Sequence, residues 1–249
     1  MLGTTYLAYF EGNAREDRAP APSLATELPR ALHAPLATSL GRFQLGESAG
    51  GKIHDEITTL KDVALDAPTR RAVQLYIEEE WRHARELSRV IHALGGELQR
   101  THWTNGAFTA CRRLLGLRTK MMTLAIAEVI GIVYYRALAA GLGSPALHGA
   151  LSCIANEESR HLDFQAAFFE RAVELTAPRL REPYRFLLQG LMWAVLVAAC
   201  AVLWLDHRAL LRHVGLRPHA VFAACFGELA SRRFLRLCPG ATLGAWLKT

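Results

Sequence analysis

Between Met121 and Tyr135 the chain reads MMTLAIAEVIGIVYY, and within that stretch Glu128 is the only charged residue. Length and spacing suit a helix that is apolar around its whole circumference, so the carboxylate meets a dry interior whichever way it turns. A carboxylate so placed costs several kcal/mol in desolvation unless it is protonated, paired with a cation or bound to a metal. The fold must therefore bring compensation to position 128. That requirement constrains the chain more than its composition does.

The rest of the sequence says which elements could bring it. Long segments with apolar residues at helical spacing, broken by short Gly, Pro and Asp punctuation and without alternating β-branched runs, predict an all-α protein. One helix is expected near Ser39 to Val63. A second should run from about Asp66, a plausible N-cap with Pro68 in the first turn, to Leu94 before Gly95 and Gly96. A third is expected near Phe108 to Ala140. Gly141, Ser144 and Pro145 then supply a C-cap glycine, an N-cap serine and an N1 proline for a fourth helix reaching about Leu175. Two hairpins, joined by a connection containing Trp103 and Gly106, describe a four-helix bundle with a crossover over residues 39–178. Residues 1–38 are expected as a mostly irregular lead-in, because 11–38 mix charges, alanine and prolines with no sustained period. Residues 179–249 add further helices, including an apolar one at 186–205.

The second and fourth helices share an anomaly with the third. Val73, Ile77, Glu80, His83, Ala84, Leu87 and Ile91 lie on one face, and so do Leu151, Ile154, Glu158, His161, Leu162 and Phe169; each apolar face contains a Glu-x-x-His. Residues at i and i+3 project together, so one ion can take an oxygen and an imidazole nitrogen from a single turn. With 10 histidines in the chain, chance alone gives roughly 0.7 such tetrapeptides. Register adds the specificity: Glu128 and Glu158 each lie about 13 residues from the 141–144 turn and reach the same level in an antiparallel hairpin. For the first hairpin the candidates are Glu47, Asp55 and Glu56, and level alone does not choose among them. Glu47 shares its face with Leu40, Phe43, Gly50, Gly51, His54 and Ile57, whereas Glu56 points away with Lys52 and Thr59. Facing favours Glu47.

The set Glu47, Glu80-x-x-His83, Glu128 and Glu158-x-x-His161 resembles the diiron-carboxylate proteins of the ferritin-like superfamily, in which each helix pair gives one Glu and one Glu-x-x-His. The intervals from Glu47 to Glu80 and from Glu128 to Glu158 are similar to those of its oxygen-activating branch, which includes rubrerythrin, bacterial multicomponent monooxygenases, the ribonucleotide reductase small subunit and the arylamine N-oxygenases. Stretches such as FQLGES, YIEEEWRHA, AEVIGIVYYRAL and NEESRHLDF look like bacterial ferritin-like domain proteins, and the resemblance covers about Ser39 to Leu175. It implies two iron ions, or manganese and iron, held by all six residues. Glu80 and Glu158 would bridge, His83 and His161 would be terminal, and Glu47 and Glu128 would take terminal or flexible positions.

The same resemblance implies that Glu79 and Glu157 hydrogen-bond to the ligand histidines, although solvated acids on a helix face are the commoner case. Tyr135 would be a redox tyrosine or, more ordinarily, a core tyrosine with a satisfied hydroxyl. His54 would approach the site or lie elsewhere on the surface or in the core. Phe164, Phe168 and Phe169 would line a substrate tunnel or simply pack. Two Glu-x-x-His copies argue against an iron-storage cage, the chain lacks a rubredoxin module, and Ile154 stands where the N-oxygenases carry an additional histidine.

The activity this implies is that of a dioxygen-dependent diiron oxidase or oxygenase acting on a small, rather apolar metabolite, with a separate reductase or ferredoxin as electron donor. A peroxide-reducing or ferroxidase diiron protein is the near alternative. A metal-free helical scaffold at a membrane, anchored through 186–205, is the alternative from another class, and it leaves Glu128 unexplained. Composition trims the field further. The five cysteines include no Cys-x-x-Cys pair, which argues against thiolate zinc, rubredoxin-type iron and a disulfide framework. A formal charge of +6, partly from Arg232, Arg233 and Arg236, without a recognised reader motif is weak ground for nucleic-acid binding, so none is expected. MLGTTYLAYF lacks a basic n-region, so a cytoplasmic protein is expected, membrane-associated if 186–205 meets lipid. Arginines on both sides of that stretch leave orientation open. Burial in the bundle, a homodimer interface and membrane contact all remain open for it.

Overall fold

A computed structural model of the chain describes residues 2–14, 24–50, 54, 57, 66–103, 106 and 117–232. Its elements are α1 (Leu2–Asn13), α2 (Leu24–Glu27), α3 (Arg30–Glu47), a 3-10 turn at Ser48–Gly50, α4 (Ala67–Ala93), α5 (Leu117–Gly141), α6 (Pro145–Glu174), a 3-10 turn at Pro178–Leu180, α7 (Arg181–His213) and α8 (Pro218–Ser231). No strand occurs among the described residues, so the all-α expectation holds.

The caps are those the punctuation announces. Asp66 accepts from the Thr69 backbone N–H at 2.9 Å ahead of Pro68, and α4 stops before Gly95, whose φ of 74° suits only a residue without Cβ. Ser144 caps α6 by accepting from Leu147 N–H at 3.1 Å. It also donates at 2.5 Å to Glu27 of α2, which accepts from Ala146 N–H at 3.0 Å. A carboxylate thus sits at the positive end of α6.

The lead-in differs from expectation. Leu2–Asn13 is helical, and α3 begins at Arg30 and not near Ser39. Pro29 sits at the N-cap, where a fixed φ helps the helix begin. Pro35 lies inside α3, but Ala31, whose carbonyl loses its partner there, is exposed, so water can satisfy it. The α-helix ends at Glu47, short of the expected Val63. Asp55 and Glu56, the first turns of the expected third helix, Cys111, Cys238, Arg233 and Arg236 fall outside the described residues.

Helix α3 packs on α4 and α5 packs on α6, giving the two expected hairpins. Helix α1 lies against α4 and α6, and α7 lies against α5, α3 and α6, with α8 on α7 and α5. At the end of α5, a Cβ on Gly141 would come within 2.5 Å of the Val214 side chain, so this glycine lets α5 and the end of α7 meet closely. Leu36, Leu40, Val73, Ile77, Leu87, Ile126, Ile132, Leu151, Leu162 and Phe169 are all fully buried in one continuous core. Phe164 packs against Tyr6, Phe10 and Tyr76, and Phe168 against Phe169, so these rings are core packing. Helices α5 and α7 are both long and apolar enough to cross a membrane. The first is mostly core; the second turns Leu188, Met192, Leu196, Cys200 and Leu203 inward and leaves its opposite face exposed.

Candidate metal centre

The two Glu-x-x-His turns come together on facing surfaces of α4 and α6. Glu80, His83, Glu158 and His161 are all buried, and one ligand atom from each lies within 4.8 Å of the others. His83 Nδ1 is 2.9 Å from Glu158 Oε1, and His161 Nδ1 is 2.8 Å from Glu80 Oε1 and from Glu158 Oε2. Each imidazole therefore presents the same nitrogen inward and reaches across to a glutamate of the opposing helix.

Glu47 and Glu128 flank this group. Glu47 ends α3 with its carboxyl hydrogen-bonded to Glu80, and it accepts from Tyr135 Oη at 2.8 Å. Glu128 is hydrogen-bonded to Glu158 and accepts from Tyr76 Oη at 2.5 Å and from Gln165 Nε2 at 3.3 Å. The register argument for Glu128 and Glu158, and the facing argument for Glu47, thus correspond to contacts. Tyr135 has a satisfied hydroxyl in the core. His54 does not approach the group; it lies 3.6 Å from Glu78 and beside Trp81.

So many acids in a dry space cannot all be ionised without cations. Burial and then the neighbouring carboxylates push Glu47 and Glu128 well above the usual range. Glu158 goes the other way: burial alone would raise it, but the adjacent His83 and His161 imidazoles together hold it well below. Burial would lower both histidines, yet Glu158, with the other glutamates bonded to them, raises them well above the ordinary value. Burial beside Glu128 and Glu47 raises the Tyr76 and Tyr135 phenols, which keeps both as hydrogen-bond donors.

Outside this group lies a layer that the sequence only half announces. The outer nitrogen of His83, Nε2, is 2.8 Å from Glu157, and that of His161 lies 3.7 Å from Glu79. Each acid beside a motif glutamate therefore faces the histidine of the other motif, crosswise. Between Glu79 and Glu157 sits Arg82, with Nη2 at 2.8 and 2.9 Å from their Oε1 atoms. From α1, Asn13 Nδ2 donates to the same two oxygens, at 2.7 Å to Glu157, and its carbonyl accepts from Arg82 Nη1 at 2.9 Å. Sequence reasoning missed Asn13, Tyr76, Arg82 and Gln165. Tyr76 precedes Glu80, and Gln165 follows His161, by one turn on the same face, and Arg82 follows Glu79 at i+3, so helical spacing could have found these three. Nothing local marks Asn13.

The residues present fit a metal. Carboxylate oxygens with one imidazole per ion form a hard to borderline donor set suited to divalent iron or manganese. Glu80 Oε1, His83 Nδ1 and Glu158 Oε1 are buried without a properly aligned hydrogen-bond partner, although they crowd one another. Atoms so arranged are poor hydrogen-bonding groups and good ligands. No family model matches the chain, and no match emerges among curated proteins or solved structures.

Proposed function

We propose that the chain is a non-haem diiron oxidoreductase of ferritin-like type, which activates dioxygen to oxidise a small, rather apolar metabolite with electrons from a separate donor. The observation that carries this reading is the convergence of two Glu-x-x-His turns with both Nδ1 atoms directed inward and both Nε2 atoms facing outer carboxylates. Such an outer carboxylate fixes the tautomer and raises the basicity of a ligating imidazole. His83 and His161 would each hold one ion, Glu80 and Glu158 would span the pair, and Glu47 and Glu128 would complete it. Four glutamates offset the four positive charges of a diferrous pair, while Arg82 balances the outer acids.

When bound, the ion pair supplies the electrons and the oxygen-binding position that no side chain here provides. The chain supplies the surroundings. Tyr76 and Tyr135 hold Glu128 and Glu47 by donated hydrogen bonds. Tyr76 and Phe10, with ring centres 4.5 and 5.8 Å from that of His161, keep water from one side. An apolar wall of this kind also favours an apolar substrate over a charged one.

Metal analysis and optical spectroscopy on protein purified with iron test the proposal. About two irons per chain, with near-ultraviolet oxo-ferric absorption that Glu128→Ala and His161→Ala abolish, is the expected result. Zinc-only occupancy, or metal content indifferent to both changes, refutes it. Product analysis with dioxygen and with peroxide then separates the oxygenase from a peroxide-reducing enzyme.

A further inference from the structure

The outward face of α7 has no partner in the fold. Phe186, Leu187, Leu191, Val197 and Leu205 on it are 76%, 64%, 42%, 45% and 58% exposed. No charged residue interrupts the helix between Arg185 and Asp206. Contiguous exposed apolar surface on this scale marks an interaction site. The ends of the face say what kind. At the N-terminal end Arg118 lies 5.4 Å from the Tyr184 ring centre and donates to its hydroxyl at 3.0 Å, with Arg185 one residue on. At the C-terminal end Arg212 lies 5.5 Å from the Trp204 ring centre, close to exposed Arg208 and Arg217. Trp103, 60% exposed, adjoins the same end through His102, which is 3.9 Å from Asp206 of α7. Amphipathic aromatics and arginines at both ends of an apolar strip suit the boundary between acyl chains and headgroups.

We propose that α7 seats the protein on the surface of an anionic lipid bilayer, with the Phe186–Leu205 face in the acyl boundary and Arg185, Arg208, Arg212 and Arg217 on lipid phosphates. Charge decides against a second copy of the chain. Laid parallel or antiparallel against its equivalent, α7 brings arginine-bearing ends onto arginine-bearing ends, and like-charge contacts oppose association. An anionic surface reverses that sign. Crossing the bilayer is also disfavoured, because α6 packs on both α5 and α7 and carries exposed Arg160, Arg171 and Glu174, which would lie at the same depth. The helix therefore lies in the membrane plane, buried about 5–10 Å.

Flotation of the full chain with vesicles of phosphatidylcholine alone, or mixed with phosphatidylglycerol, is the test. The protein is expected to float with the anionic vesicles and to be released by salt. Arg208→Gln with Arg212→Gln should weaken partitioning about thirtyfold. Leu191→Glu with Val197→Glu should abolish it, while circular dichroism remains that of the parent because both positions are exposed. Failure to float at low salt overturns the proposal, as does binding that both variants leave unchanged. A dimer by light scattering that the Leu191→Glu, Val197→Glu variant dissolves also overturns it, in favour of self-association.

Discussion

Replacing Arg82 by Met keeps the length and volume of the side chain and removes only its charge and donors. The guanidinium holds two carboxylates at once, 2.8 Å from Glu79 and 2.9 Å from Glu157, and the three side chains are 13%, 3% and 6% exposed. Without it two buried acids lie together, with Asn13 as their shared remaining donor from α1. Breaking a buried charge pair from one side costs about 3–5 kcal/mol, most of it the price of the stranded partner. With an m-value of about 3 kcal/mol/M in urea, a chain of this size should lose about 1–1.5 M in its unfolding midpoint. The comparison that isolates the cause repeats Arg82→Met in a Glu79→Gln, Glu157→Gln background. No carboxylate is then stranded, and the same substitution should cost under about 1 kcal/mol. Equal losses in both backgrounds, by urea unfolding followed by circular dichroism without added metal, would refute the view that Arg82 serves these two acids.

Other outcomes follow from the same coordinates. His207, buried beside Ser39, Phe43 and Tyr134, titrates at about 3, because burial and then Arg42 and His102 oppose its charge. Its folded value lies below the ordinary 6.5, so its contribution is complete above pH 6.5 and falls as the pH drops toward 3. That amounts to about 2 kcal/mol lost between pH 8 and pH 5. In a His207→Gln variant this slope should vanish from denaturation curves measured across that range; an unchanged slope would assign the acid sensitivity elsewhere. Asp66→Ala removes the cap of α4 and should cost about 1 kcal/mol in thermal or urea unfolding. Gly141→Leu drives a side chain into Val214 and should destabilise by about 1–3 kcal/mol, whereas Gly149→Ala, with open space around its position, should not.

Local chemistry explains why much of the architecture could be read from the sequence. Asp66 with Pro68, and Gly141 with Ser144 and Pro145, bound two helices by short-range rules, and period-3.6 stripes fix which faces meet. Glu80, His83, Glu158 and His161 could be found because they are polar residues on those stripes, and Glu128 because nothing around it is polar. Glu47 needed the facing argument, since its α-helix ends there and level did not discriminate. The outer layer was less accessible. Glu79 and Glu157 look like solvated acids in sequence, and their crosswise pairing with the histidines depends on how α4 and α6 sit together. Asn13 is 66 residues from Glu79, and no periodicity links the two. The N-terminal helices were hidden by their prolines, because a sequence pattern does not show that Pro35 frees only an exposed carbonyl.

The crosswise pairing of His83 with Glu157 and of His161 with Glu79 also works as a mechanical key. A helix advances about 1.5 Å per residue, so sliding α4 along α6 by a single residue lengthens one cross-link as it compresses the other. Opposed tethers of this kind resist displacement in either direction. Leucines and phenylalanines, whose contacts are greasy and forgiving, could not index two rods so finely by themselves.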